Sequence, residues 1–312
     1  MTHTSGPILS PEQQSKSAVR DNSLNQPLAG IGLLLAATVF FALQDVITKQ
    51  LTSQVSVAQI LVVRFGAFAL FALIYAARKT GLGKAFKSSV PKTQIIRCLI
   101  MCTEIGLFAY AVQFLGIAEI HAIFSCFPLV VTALSVPMLG EHVGWRRWLA
   151  VLFGFGGTLI IIQPGSGVFN PAAILALICV VMYSFYNILT RRVSKSDAFA
   201  TSLVYFGVVG FAASLVAVAG RWQTPDMDTT LLLAGICVTS VASHMMLIKA
   251  LELTSAVVLQ PFNYFILVWA IVFGYLFFGE ILSLHEVLGA GIVVGSGLYV
   301  GLREYLLSRR SA

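Results

Sequence analysis

The stretch FFALQDVITKQL, Phe40 to Leu51, returns in altered form as MYSFYNILTRRV, Met182 to Val193. At an offset of 142, Asp45 meets Asn187, Thr48 meets Thr190 and Lys49 meets Arg191. A second match follows in the same order. GEHVGWRRWLAVLFGFGG from Gly140 aligns with GEILSLHEVLGAGIVVGS from Gly279, so that Glu141 meets Glu280, Leu149 meets Leu288 and Gly156 meets Gly295. Chance likeness between apolar helices is the alternative. Two blocks in register, each carrying polar positions, argue instead for a chain built from two copies of one unit.

Each copy is strongly apolar. Of the 312 residues, 58% are hydrophobic and 11% charged, with a mean hydropathy of +0.88. A soluble domain carries about 25% charged residues, and so few charges could not cover the surface of a soluble fold this size. A bilayer-crossing helix needs about 20 mostly apolar residues. Ten such segments are predicted, at 29–49, 57–77, 95–115, 119–139, 147–163, 171–190, 201–219, 229–249, 255–278 and 284–302. Strands are excluded because an open sheet edge cannot be satisfied in lipid. The expected fold is therefore an all-α polytopic membrane protein with ten transmembrane helices in two five-helix repeats, residues 29–163 and 171–302. Polar tails at 1–28 and 303–312 flank them. The tail before Pro27 shows no cleavage motif after a short apolar core, so no removable signal peptide is expected.

Lys and Arg set the orientation. With the N-terminus inside, seventeen of the twenty lie in inner segments and two, Lys49 and Arg221, in outer loops; Arg64 lies within a span. Basic residues collect in cytoplasmic loops. The pI of 9.3 is therefore read as a topology signal rather than as a nucleic-acid partner, and both termini are expected in the cytoplasm. Five spans per copy is an odd number, so the second copy must be inverted relative to the first. Inverted repeats characterise secondary transporters, whose solute site lies near the midplane between the halves.

Charged groups at membrane depth cost about 2.5–3.5 kcal/mol each on insertion scales and are functional candidates by default. Asp45, Arg64 and Glu104 are three such groups, all in the first copy. Asp45 and Arg64 fall at comparable depth and are expected to pair, either as a static bridge or as part of a substrate site. Glu104 falls about 14 Å along its helix, close to the midplane. Desolvation there favours the protonated acid, which suits proton coupling or a cationic solute; a protonated Glu104 bonded to a neighbouring helix is the other reading. Gln44, Tyr183, Tyr186, Asn187, His244, Gln260, Asn263 and Tyr264 complete the expected substrate-binding set, with Pro261 weakening its helix. Glu119, Glu141, Glu280, Glu286, His121, His142 and His285 sit at span ends and are read as solvated.

The five cysteines, Cys98, Cys102, Cys126, Cys179 and Cys237, lie in apolar runs and read as small buried side chains. Neither a metal site nor a cofactor is expected. Gly291 and Gly295 form a GxxxG, which serves either packing within the monomer or a homodimer contact. Enzyme signatures such as HExxH, GxSxG or a Walker A loop are missing from the sequence. The alternative to a transporter is a membrane-embedded enzyme using Asp45, Glu104 and His244.

The Gly-Glu pairs at Gly140 and Gly279, the glycine-rich segments after them and the ten-span, two-copy plan resemble the EamA branch of the drug/metabolite transporter superfamily. The resemblance covers residues 29–302 and implies a 5+5 inverted repeat that moves small organic molecules across the cytoplasmic membrane. FALQDVITKQL and the segment from Pro261 to Glu280 most resemble members that carry metabolites such as S-adenosylmethionine or riboflavin. One consequence of the charge pattern is directly testable. Reporters fused to each end of the chain should both be active only on the cytoplasmic side; opposite locations would break the even number of crossings.

Overall fold

The computed structural model describes residues 27–139, 145–163, 170–220, 222–254 and 256–310, without the side chains at 27, 128, 135, 139, 146, 147, 256, 257, 260, 261 and 300–310. The expected tail before Pro27, together with Glu141, His142 and Arg221, lies outside these residues.

Long apolar runs bounded by capping residues give helices throughout. In chain order they are α1 (Pro27–Leu51), α2 (Val57–Lys79), α3 (Leu82–Ala85), α4 (Pro91–Ala111), α5 (Ile117–Phe124), α6 (Phe127–Leu139) and α7 (Trp145–Ile162). There follow α8 (Ala172–Ser194), α9 (Phe199–Val218), α10 (Met227–Leu253), α11 (Ala256–Asn263), α12 (Phe265–Phe278) and α13 (Leu284–Arg310). No strand occurs among the described residues. The starts are chemically marked. The Ser56 hydroxyl accepts from the Gln59 amide at 3.3 Å, the Asp226 carboxylate accepts from the Thr229 amide at 2.8 Å, and Pro91 opens α4. Each satisfies, or does without, a donor that a helix N-terminus leaves orphaned.

Every predicted span falls on helix. Among the described residues, seven segments are long and apolar enough to cross a bilayer, α5 and α6 counting as one from Ile117 to Met138. Trp148–Ile162, Phe265–Phe278 and Leu284–Tyr299 are shorter apolar helices. The chain is an all-α polytopic membrane protein. Two of the predicted spans are interrupted. The fourth breaks at Ser125 and Cys126, where Pro128 has no amide proton to give to the Phe124 carbonyl. The ninth breaks at Tyr264, where the Asn263 side chain donates to the Leu259 carbonyl at 3.3 Å and competes with the helical ladder. At the C-terminal end, α13 continues as helix to Arg310, past the predicted boundary at 302.

The helices pack in matched pairs. Helix α1 lies along α10 and α4 along α8, while α2 lies along α9 and α7 along α13. One apolar core runs through the bundle, including Phe65, Phe68, Phe206 and Tyr186. Glycine makes the α7–α13 contact possible. A Cβ on Gly157 would stand 2.8 Å from the Gly289 carbonyl, and one on Gly289 would stand 2.6 Å from that of Gly157. Gly291 and Gly295, in contrast, have nothing within 4 Å of an added Cβ. Among the described residues, the GxxxG makes no close contact inside the monomer. Cys98, Cys102, Cys126 and Cys179 are buried as expected, Cys237 is half-buried, and all five are free thiols.

At one end of the bundle, the Asp197 carboxylate between α8 and α9 gathers the loop before α4. It accepts from Ser88 Oγ at 2.5 Å, from the Ser89 amide at 2.8 Å and from Gln94 Nε2 at 2.8 Å. Burial pushes its carboxyl up, but these hydrogen bonds outweigh burial and hold it below the usual carboxylate range. A depressed acid stabilises the fold above its unfolded value, about 3.9, and that contribution is lost as pH falls through the lower folded value. Asp197→Ala should cost about 1.5–3 kcal/mol, the scale of a hydrogen bond to a charged group. Thermal unfolding in detergent should show that difference at pH 7 and a narrowing gap toward pH 3.

Candidate functional site

Where the two interrupted helices meet α1, α2, α4, α8 and α10, they line a common chamber. The breaks lie at matching places, because Ser125 and Tyr264 are separated by the same 139 residues as Glu141 and Glu280. Both breaks border the chamber through Phe124, Ser125, Phe127, Asn263 and Tyr264. Interrupted helices at membrane depth are tolerated where they line a cavity.

Eight of the eleven residues named from the sequence line this one chamber: Gln44, Asp45, Arg64, Glu104, Tyr183, His244, Asn263 and Tyr264. Two do not. Tyr186 is fully buried behind Tyr183, with its ring 5.7 Å from the Arg97 guanidinium and 6.0 Å from the Phe206 ring. Asn187 turns back on its own helix, donating to the Tyr183 carbonyl at 2.8 Å. The side chain of Gln260 lies outside the described residues.

The charges are arranged differently from expectation. Asp45 does not pair with Arg64. Its Oδ2 lies 2.8 Å from His121 Nε2, and both residues are buried. His121, expected to be solvated at a span end, is 2% exposed. The correction has a simple geometric cause. His121 stands one helical turn into α5, as Asp45 stands one turn before Lys49 near the end of α1, so the two reach the same level on touching helices. Arg64 instead faces Gln44, whose amide oxygen accepts from Nη1 at 3.0 Å and Nη2 at 3.1 Å in the orientation that satisfies both groups. The far end of that amide faces Ser243 Oγ at 3.4 Å, and Ser243 Oγ lies 3.2 Å from His244 Nδ1. Arg64 is within electrostatic reach of both Asp45 and Glu104. The Glu104 carboxylate has no hydrogen-bond donor among the described residues and opens on the chamber.

A second correction concerns Glu280. It is not a solvated helix end: its Oε1 lies 2.5 Å from Lys49 Nζ, and its Oε2 accepts from the amides of Ile117 at 2.7 Å and Ala118 at 3.4 Å. A carboxylate there complements the positive N-terminus of α5. Lys49 also donates to the Leu115 carbonyl at 3.1 Å. The preceding Gly279 adopts φ +65°, the left-handed turn that glycine accepts without strain and that delivers Glu280 to this position. Glu119 likewise binds the Gly116 amide, at 3.2 Å.

The rest of the wall is aromatic. Phe41 and Phe206 pack on His244 at ring distances of 4.9 and 5.0 Å, Phe108 lies 5.8 Å from His121, and Phe127 lies 4.7 Å from Tyr183. The chamber therefore offers two carboxylates against one guanidinium, with flat apolar faces beside them. With both acids ionised and the imidazoles neutral, the chamber holds one negative charge in excess. It can take up a proton or a cationic group, and stack a ring.

The sequence model of the EamA-like transporter family matches this chain twice, at residues 28–163 and 170–302. The S-adenosylmethionine uptake transporter of Rickettsia bellii is 24% identical over 254 residues, covering 80% of this chain and 86% of that protein. The riboflavin transporter of Vibrio cholerae is 27% identical over 272 residues, covering 86% and 91%. The pseudopaline exporter of Pseudomonas aeruginosa is 23% identical over 260 residues, covering 81% and 89%. A solved crystal structure superposes with a TM-score of 0.65 at 17% identity, over 91% of this chain and 97% of that one, a likeness of fold.

The Asp45–His121 contact separates two roles experimentally. Asp45→Ala strands a buried imidazole and should lower expression and melting temperature along with transport, since breaking one side of a buried pair costs about 3–5 kcal/mol. Asp45→Asn keeps an oxygen for His121 Nε2 and should express and melt close to the parent while losing most uptake. Parent-like uptake by Asp45→Asn would show that the charge serves only the fold.

Proposed function

The chain belongs to the EamA-like transporter family, and from that premise we propose that it carries a small polar or zwitterionic organic metabolite through the chamber by alternating access. Family membership sets aside the membrane-enzyme alternative. The observation that carries the proposal is the chamber itself: both copies of the matched unit contribute walls to it, and its polar groups converge at membrane depth.

The packing supports a 5+5 inverted repeat. Numbering spans by the ten predicted segments, a two-fold operation exchanges spans 1 and 6, 3 and 8, and 2 and 7. Under it, the α1–α10 contact maps onto the α4–α8 contact, while α2–α9 and α7–α13 map onto themselves. Lys49 donating to the Leu115 carbonyl has its counterpart in Arg191, which donates to the carbonyls of Leu251 and Glu252 at 3.0 and 3.1 Å. With both termini cytoplasmic, the Lys49–Glu280 contact lies toward the outside and the Arg97 and Asp197 cluster toward the cytoplasm. Alternation is then rocking of one copy against the other around a fixed chamber.

The named substrates of the relatives include molecules with flat rings, and the aromatic wall beside Asp45 and Glu104 suits a solute that joins a ring to a polar or cationic group. The relatives include both an uptake transporter and an exporter by name, so direction is set by gradients and not by kinship. Glu104, open to the chamber and without a hydrogen-bond donor among the described residues, is the proton-coupling group. The open Gly291–Gly295 face offers either lipid or a second copy a flat surface.

Counterflow in proteoliposomes tests this reading, with S-adenosylmethionine and riboflavin as the first solutes. Accumulation of labelled solute against preloaded unlabelled solute, chemically unaltered, is the expected result; no exchange of any metabolite would refute it. Glu104→Gln should abolish uptake driven by a pH gradient while retaining a substantial part of counterflow, because exchange needs the chamber but not a titrating carboxyl. Unchanged gradient-driven uptake in that variant would remove Glu104 from the coupling role.

A further inference from the structure

The Asp45–His121 contact leaves one polar atom over. Nε2 faces Asp45 Oδ2, but His121 Nδ1 is buried and has no hydrogen-bond partner among the described residues. His121 lines the chamber, its ring bracketed by Phe108 at 5.8 Å and Phe124 at 6.0 Å. The backbone of the same residue is pinned as well: its carbonyl accepts from Ser125 Oγ at 3.0 Å, and the start of α5 is held by Glu280. An imidazole fixed on both sides, with one nitrogen unused in the wall of the chamber, calls for an explanation, because leaving a buried polar atom unsatisfied is costly.

An ionised carboxylate can only accept hydrogen bonds, so the shared proton must sit on Nε2. A neutral imidazole in that tautomer turns a lone pair outward at Nδ1.

We propose that His121 is the specificity-determining residue of the chamber: Asp45 fixes its Nε2–H tautomer, and the free Nδ1 accepts a hydrogen bond from an N–H donor of the solute. This rests on the chamber being the solute site. The solute class it selects carries an amino, amide or ring N–H beside a flat or apolar portion that lies on Phe108 and Phe124. Asp45 acts through His121 as a positioning residue. A site built around an acceptor rejects analogues in which the matching donor is blocked, since the acceptor is then left unpaired.

The test uses the full chain in lipid nanodiscs with ¹⁵N-labelled histidine, the His121 signals being identified by their loss in His121→Lys. Without solute, the Nε2 signal should be that of a protonated nitrogen and the Nδ1 signal that of a bare lone pair. Saturating S-adenosylmethionine or riboflavin should shift Nδ1 and leave Nε2 protonated. His121→Lys can keep a donor to Asp45 but carries no acceptor. Its half-saturation concentration in counterflow should rise tenfold or more, with the maximal rate within twofold of the parent, a split that a merely structural role would not produce. Riboflavin methylated at its ring N–H should compete at least tenfold less well than riboflavin in the parent and equally in the variant.

A proton found on Nδ1 would overturn the proposal. So would a probe that binds and exchanges without moving the Nδ1 signal. If neither probe binds, the substrate class proposed above fails for them, while the tautomer of the free protein still decides whether His121 presents an acceptor.

Discussion

Helix α1 is stitched to α5 by two contacts one helical turn apart, and the chamber depends on both. Lys49 meets Glu280, which in turn holds the first amides of α5; Asp45, four residues earlier, meets His121, four residues into α5. Positions i and i+4 share a face of a helix, so the two contacts fix the rotation of α5 as well as its position. Glu280 comes from the far half of the chain. The upper stitch therefore binds the two halves together, while the lower one stays inside the first. Any motion that parts the halves at this end must release Lys49 from Glu280 but can leave Asp45 on His121. The chamber wall around Asp45 and His121 can thus persist while the Lys49–Glu280 seam opens.

Membrane depth explains why polar groups collect at one place. A lone charge facing lipid is costly, and so is an unmatched amide or hydroxyl. Asp45, Arg64 and Glu104 face inward, and neutral polar groups gather around them: Gln44 on Arg64, Ser243 on Gln44, His244 on Ser243. The interrupted helices fall at the same level for the same reason, since backbone groups released near Ser125 and Tyr264 need a polar cavity or a protein partner. Chamber, breaks and charges are one solution to a single solvation problem.

Much of this was legible in the sequence because hydropathy at the scale of a span is unambiguous. Each predicted segment falls on helix, and eight of the expected site residues share a chamber. What was not legible was pairing. Depth arithmetic placed Asp45 near Arg64, but depth says nothing about azimuth, and α1 turns Asp45 toward α5. His121 could have been found by the same arithmetic, since it lies four residues into its helix and Asp45 six from the end of its own, a difference of about 3 Å in depth; its place near a span end hid it. Tyr186 and Asn187 share a face with Tyr183 in a helix of 3.6 residues per turn, but only part of that face borders the cavity. Arg97 was missed entirely as a structural residue. It flanks a span like any loop cation, and the signal was Gln94, three residues before it, whose Oε1 now accepts from Arg97 Nε at 2.7 Å.

Arg97 and Lys49 also refine the argument from charge. Arg97 is fully buried, donating to the Ser202 carbonyl at 2.8 Å and to Thr190 Oγ1 at 3.3 Å, so it is not a free loop cation of the kind that reads membrane orientation. Lys49 is likewise committed, to Glu280 and to the Leu115 carbonyl. Both cations satisfy helix ends or buried acceptors, a role set by local geometry and indifferent to the side of the membrane. Removing one from each column of the tally strengthens the bias, because the outer column held only two and the inner one seventeen. The cations that remain are mostly short-loop residues such as Arg78, Lys79, Lys84 and Lys87. Their side chains make no contact of that kind among the described residues, so they are the ones on which the expectation of cytoplasmic termini rests.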